Sequence, residues 1–91
     1  MNHPLISIGI TVFNAADTIE RAVRSALTQT WRPIEILIAD DCSTDKSNKI
    51  LENLKSQHDA VRIIKNDRNM GVAFSRNRIL DEARGEFIVF F

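Results

Sequence analysis

The sequence predicts a three-layer α/β domain, a mainly parallel sheet of about four strands with helices on both faces, in the order β-α-β-α-β-α-β. Short apolar runs rich in β-branched residues alternate with stretches whose apolar positions recur every three or four residues, and Asn, Asp, Ser and Gly punctuate the boundaries. The run Ile36-Leu37-Ile38-Ala39 stops abruptly at Asp40-Asp41. That pattern reads as a buried strand carrying acid groups to the carboxyl edge of a sheet, where ligands of open α/β folds bind.

The first strand is predicted over Leu5 to Phe13, with Pro4 before it and Gly9 permitting close approach of a neighbouring element. Asn14-Ala15-Ala16-Asp17 turns into a helix with one apolar stripe, Ile19, Ala22, Val23, Ala26 and Leu27, which ends before Trp31-Arg32-Pro33. A second strand, Ile34 to Ala39, leads to the acidic pair. Ser43 or Thr44 is expected to cap the next helix, which runs to about Lys55 with Ile50, Leu51 and Leu54 inward. Val61 to Ile64 is a third strand and Lys65 to Gly71 a polar turn. The third helix is predicted over Val72 to Arg84, with Gly85 as its C-terminal cap, and Glu86 to Phe91 is the fourth strand. Parallel strands bring the three strand-to-helix loops, residues 11–14, 40–45 and 66–71, to one crevice.

A chain of 91 residues is one small domain or part of one. Its hydrophobic fraction of 44% and charged fraction of 26% are those of a globular chain. Twelve basic residues balance twelve acidic ones, which argues against a nucleic-acid partner. Cys42 is the sole cysteine, so neither an internal disulfide nor a cysteine-rich zinc site is expected, and a cytoplasmic setting fits. No apolar stretch is long enough to span a bilayer, and Met1-Asn2-His3-Pro4 lacks signal-peptide character. The apolar run ending at Phe91 has no turn or polar cap, so the expectation is a domain truncated there; a natural terminal strand buried in a sheet is the alternative.

Adjacent carboxylates repel one another unless donors or a cation offset the cost, which makes Asp40 and Asp41 candidate site residues; an ordinary strand-to-helix turn would use the same residue types as caps. On the third helix the apolar stripe Val72, Ile79, Leu80 and Ala83 is interrupted by Arg76. Facing the sheet, that guanidinium requires an anionic partner or a phosphate; otherwise it extends along its aliphatic stem to solvent. A nucleotide suits these parts: Asp41 to accept the imide N–H of uracil, Thr11 and Phe13 to bracket the base, and Arg76 to meet the diphosphate. Neither G-x-G-x-x-G nor a P-loop motif is present. His3 and His58 lack metal-ligand spacing, Ser75 and Cys42 lack the setting of a nucleophile, and Trp31 is expected to pack at a helix end.

In order, Ile8 to Asn14, Ala26 to Thr30, Glu35 to Asp45, Asn69 to Ala73, Ser75-Arg76-Asn77 and Gly85 to Ile88 resemble the N-terminal half of the GT-A domain of family 2 glycosyltransferases. The resemblance covers nearly the whole chain and implies a Rossmann-like GT-A half-domain that binds a nucleotide-diphosphate-sugar, a UDP-sugar by the weight of the family. It implies that Asp41 reads the base with Asp40 in support, that Thr11, Val12, Phe13 and Asn14 line the base pocket, and that Asn69, Gly71 and Arg76 lie near the sugar-diphosphate. It further implies a divalent cation, Mg2+ or Mn2+, in the complete enzyme, held by a D-x-D motif that follows the fourth strand. No catalytic or metal-binding residue is then assigned within this chain, which alone is expected to be inactive. The expected partners are the donor, a saccharide or lipid-linked acceptor, and a second copy through the exposed sheet edge. The expected location is cytoplasmic, or at the inner face of the membrane for the full-length protein. The alternative is a non-catalytic nucleotide-binding or regulatory α/β module. A receiver-like module, however, carries its acidic pair after the first strand and a phosphoacceptor Asp after the third, where this chain has Lys65-Asn66.

Overall fold

A computed structural model describes residues 3–91. Strands β1 (Ile6–Val12), β2 (Ile34–Asp40), β3 (Val61–Lys65) and β4 (Phe87–Phe90) alternate with helices α1 (Ile19–Leu27), α2 (Ser47–Gln57) and α3 (Val72–Glu82). The sheet order is β3-β2-β1-β4 and every pairing is parallel. Val12 stands beside Asp40, and Asp40 beside Lys65, so the carboxyl ends of the inner strands finish level with one another.

Side-chain alternation along the strands divides the core into two layers. Ile8, Ile10 and Val12 of β1 and Ile36 and Ile38 of β2 pack with Ile19, Val23 and Leu51 of α1 and α2. On the other face Leu37, Ala39 and Ile64 meet Ile79 of α3. β1 turns only Ser7, Gly9 and Thr11 toward α3. A Cβ on Gly9 would lie 2.8 Å from the Phe90 ring and 3.0 Å from Ile79 Cγ2, so the missing side chain lets β4 and α3 close over the strand.

Three local expectations are corrected. α2 starts at Ser47, with Lys46 and not Ser43 or Thr44 at its N-cap position. Ser43 and Thr44 remain in the loop because their polar groups are engaged by Asp40 and Asn14. α3 ends at Glu82, and its C-cap Ala83 is extended, so Gly85 is no helix cap. A Cβ on Gly85 would lie 2.6 Å from Ser7 Oγ and 2.8 Å from the Leu5 carbonyl oxygen; glycine is needed there for close passage beside β1. Finally, α3 buries Ser75 and Ile79, while Val72, Leu80 and Arg76 are exposed. The helix lies so close to the small residues of β1 that a serine fits its contact face and the larger residues turn outward.

At the amino end of the sheet, Glu35 is buried and accepts hydrogen bonds from Ser7 Oγ at 2.6 Å, Arg62 Nη1 at 2.9 Å and the Arg84 N–H at 2.7 Å. Burial pushes its carboxyl up, but the Ser7, Arg84 and Arg62 donors outweigh that and hold it below its ordinary value. Ser7 Oγ also accepts the Gly85 N–H at 2.9 Å, which fixes the entry into β4. Trp31, expected to pack at the helix end, is exposed and reaches the segment before β1 instead, donating to the Pro4 carbonyl at 3.0 Å and meeting the His3 ring edge-on at 5.6 Å. Phe87, Val89, Phe90 and Phe91 of the edge strand and its extension are exposed.

Candidate functional site

The three strand-to-helix loops meet at the carboxyl edge. Two of them are stitched together by hydrogen bonds. The successive N–H groups of Asn14, Ala15 and Ala16 donate to Ser43 Oγ at 3.0 Å, Ser47 Oγ at 3.0 Å and Asp45 Oδ2 at 3.2 Å. In return Asn14 Oδ1 accepts the Thr44 N–H at 2.8 Å and the Asp45 N–H at 3.3 Å. Asn14 adopts φ +50° and Cys42 φ +63°, left-handed conformations that turn each loop sharply away from its strand.

The acidic pair splits into two roles. Asp40 is fully buried, and its Oδ1 accepts the Ser43 N–H at 3.0 Å and the Ser43 hydroxyl at 2.6 Å. Asp41 points toward the third loop, where Oδ1 accepts the Asn66 amide at 2.8 Å and the Met70 N–H at 2.7 Å, and Oδ2 accepts the Gly71 N–H at 2.9 Å. Burial favours the neutral carboxyl, but the Met70, Asn66 and Gly71 donors prevail and hold Asp41 below its usual range. Asp41 is therefore an anion at neutral pH with its direction fixed. Each carboxylate oxygen accepts about two hydrogen bonds, so Oδ1 is filled and Oδ2 keeps one acceptor position.

Asp41 lines a cleft of about 70 Å³ with Thr11, Val12, Phe13, Val72 and Ser75. Phe13 is exposed and Thr11 half-buried, so both offer side chains to a ligand. The Val12 side chain is in the core, and its carbonyl accepts the Asp41 N–H at 2.8 Å, so Val12 contributes backbone only. Asn14 sits beside this group with its side-chain oxygen engaged by the second loop. Gly71 forms the N-cap position of α3 at φ +93°, and Asn69 is exposed before it. Arg76 does not face the sheet core: it is exposed and its guanidinium carbon lies 5.5 Å from the centroid of the Phe90 ring, a cation–π contact that holds it above β4.

Val72 and Ser75 line the cleft, and Asn66 is buried behind Asp41; the sequence placed them only within the crevice-lining stretch and assigned none of them a contact. Asn66 is the first residue after β3, the place Asp41 occupies after β2, and its N–H continues the ladder by donating to the Asp40 carbonyl at 2.9 Å. Ser75 follows Gly71 by four residues, the spacing of one helix face.

Among the described residues, no group of three or more His, Cys, Asp or Glu side chains could hold a metal ion. Asp41 is occupied by N–H donors, and Asp40 has a single unpartnered oxygen, Oδ2. A hard divalent cation needs several oxygen ligands, so the pair does not fit one.

Parallel topology, an acid-ended central strand and a cleft at the carboxyl edge together define an open α/β domain with a candidate ligand cleft at the ends of its strands. The sequence model of the family described as Glycosyl transferase family 2 matches residues 7–91, and the chain belongs to that family. It is 43% identical over 86 residues to the UDP-Glc:alpha-D-GlcNAc-diphosphoundecaprenol beta-1,3-glucosyltransferase WfaP of Escherichia coli, covering 94% of this chain and 34% of that protein. Among solved structures it resembles S. aureus TarS 1-349 in complex with UDP, with a TM-score of 0.83 and 28% identity over 94% of this chain and 26% of that one. It shares its fold with the mannosyltransferase PcManGT of Pyrobaculum calidifontis, solved with GDP-Man and Mn2+, with a TM-score of 0.86 and 23% identity over 96% of this chain and 26% of that one. The fold is the GT-A fold of these enzymes. The chain spans about a third of the length of the curated relatives it matches.

Proposed function

We propose that this chain is the donor-binding part of a glycosyltransferase that takes a sugar from a nucleotide-diphosphate-sugar, a UDP-sugar, and passes it with inversion to the hydroxyl of a saccharide or lipid-linked acceptor. The observation that carries this reading is the Asp41 carboxylate, charged, immobilised by three N–H donors and left with one acceptor position in the cleft. An oriented acceptor of this kind selects a ring N–H. The uracil imide supplies one, whereas cytosine presents a bare nitrogen that a carboxylate repels. Thr11 and Phe13 bracket the base, and Arg76, with Asn69 and Gly71, flanks the diphosphate. TarS, named above with UDP, and WfaP, named for UDP-Glc and a diphosphoundecaprenol-linked acceptor, support the choice of donor and acceptor.

Transfer itself requires groups that these residues do not provide. No described carboxylates are grouped to hold a Mg2+ or Mn2+ ion, whose chemistry, where one is bound, would be to offset the charge of the diphosphate. These 91 residues alone therefore transfer no sugar. The site of action is the cytoplasmic side of a membrane that carries the acceptor, and the open edge of β4 allows self-association.

Calorimetric titration with UDP and CDP tests the reading. UDP should bind at least about tenfold more tightly than CDP, and Asp41→Ala should remove most of that preference. Equal affinities for the two nucleotides, or no effect of Asp41→Ala, would refute it.

A further inference from the structure

We propose that Asn66 is a positioning residue for the base-reading carboxylate: its amide bridges Arg78 and Asp41 and so fixes the direction in which Asp41 accepts a ligand N–H. The inference rests on the role assigned to Asp41 above.

The geometry is specific to an amide. Asn66 is buried, and its Nδ2 donates to Asp41 Oδ1 at 2.8 Å and to Ser75 Oγ at 2.9 Å. Its Oδ1 accepts from Arg78 Nη1 at 3.1 Å. Arg78 can only donate and the ionised Asp41 can only accept, so the amide has one orientation: oxygen toward the guanidinium, nitrogen toward the carboxylate. Both amide hydrogens are then used.

Arg78 is itself anchored from two directions. Nη1 donates to the Lys65 carbonyl at 2.7 Å, and Nη2 meets Glu82 Oε2 at 3.4 Å. The chain of contacts therefore runs from the solvent side of α3, through a buried amide, to the cleft. Without the Asn66 amide, Asp41 would keep one donor per oxygen, the Met70 N–H on Oδ1 and the Gly71 N–H on Oδ2, and the carboxylate would swing more widely about its Cβ–Cγ bond, broadening the acceptor direction that the ligand reads. A carboxylate at position 66 would repel both Asp41 and the free acceptor position. A leucine would leave Ser75 without its partner. Asn66 thus contributes to base selection without touching the base.

The test is a double-mutant cycle read with two ligands, UDP and N3-methyl-UDP, which has no imide hydrogen to donate. Asn66→Ala should weaken UDP about tenfold and N3-methyl-UDP much less, and it should have almost no further effect on UDP in an Asp41→Ala background. Equal losses for both ligands, or the same loss in both backgrounds, would mean that Asn66 acts on the fold alone and would overturn the proposal. Should Asp41→Ala weaken UDP while Asn66→Ala does not, the positioning role fails and the base-reading role stands. Should Asp41→Ala leave UDP binding unchanged, the base-reading role fails, and the positioning role with it. Ser75→Ala serves where Asn66→Ala does not fold. It removes one anchor of the amide and should produce a smaller loss confined to UDP, and no loss or an unselective one overturns the proposal.

Discussion

The Asp41 carboxylate lies across the N-terminus of α3, with Oδ2 2.9 Å from the Gly71 N–H. The helix has no side-chain cap of its own, so an acid from the end of β2 fills that place across the sheet. In the proposed function, one side chain thereby joins helix stability to base recognition.

Asp41→Asn should consequently cost about 2 kcal/mol of stability at pH 7, because the new amide turns its NH2 toward the N–H donors that now meet oxygen. The pH dependence follows from the lowered carboxyl. Its contribution is complete above the unfolded value near 4 and is lost as pH falls through the lower folded value. Urea unfolding should therefore show the gap between wild type and variant closing between about pH 5 and pH 2. A gap that stays constant over that range would contradict the assignment.

Glu35→Ala separates stability from binding. It strands the Ser7 hydroxyl, the Arg84 N–H and a partly buried Arg62, and should cost about 2 to 3 kcal/mol in chemical denaturation. UDP affinity should remain near that of the wild type, because Glu35 lies at the amino end of the sheet and the cleft at the carboxyl end.

The glycines predict an order of thermal stability. Gly85→Ala forces a methyl group to within 2.6 Å of Ser7 Oγ and 2.7 Å of the Ser7 nitrogen, so strands must move apart. Gly71→Ala meets no atom within 4 Å and is penalised only by φ +93°, at a cost of about 1 to 2 kcal/mol. Gly85→Ala should melt at the lower temperature. The reverse order would show that conformational strain outweighs close packing here.

Asp45→Ala offers a contrast with Asp41→Ala. Asp45 accepts the Ser47 and Ala16 N–H groups, and its Ser47 contacts above all hold its carboxyl below the usual range. It does not line the cleft. Its removal should lower the melting temperature and change UDP affinity far less than Asp41→Ala does. Equal losses of affinity would remove the distinction between the two acids.

The order of strands and helices was legible because periods of two and of three to four residues differ plainly along this chain, and the acid-ended β2 marked the ligand edge. Local polar chemistry was less legible. Ser43 and Thr44 have the composition of helix caps, yet their partners come from Asp40 and Asn14, the latter about thirty positions away, and no short-range pattern encodes that. The α3 stripe misled because apolar spacing records hydrophobicity and not clearance. Opposite Ser7, Gly9 and Thr11 the helix needs a small contact face, which Ser75 gives. Arg76 was expected on the sheet-facing stripe and is exposed, and its companion, the Phe90 ring, depends on a sheet pairing that one helix sequence does not reveal.

The stitching of Asn14, Ala15 and Ala16 to Ser43, Asp45 and Ser47 also governs how such domains can be recombined. A chimera that imports only the first loop must still present three backbone donors and a side-chain acceptor at position 14 to the Ser43–Ser47 segment. One that imports only the second leaves the same donors bare. The two segments form a single unit of inheritance, to be exchanged together or left alone.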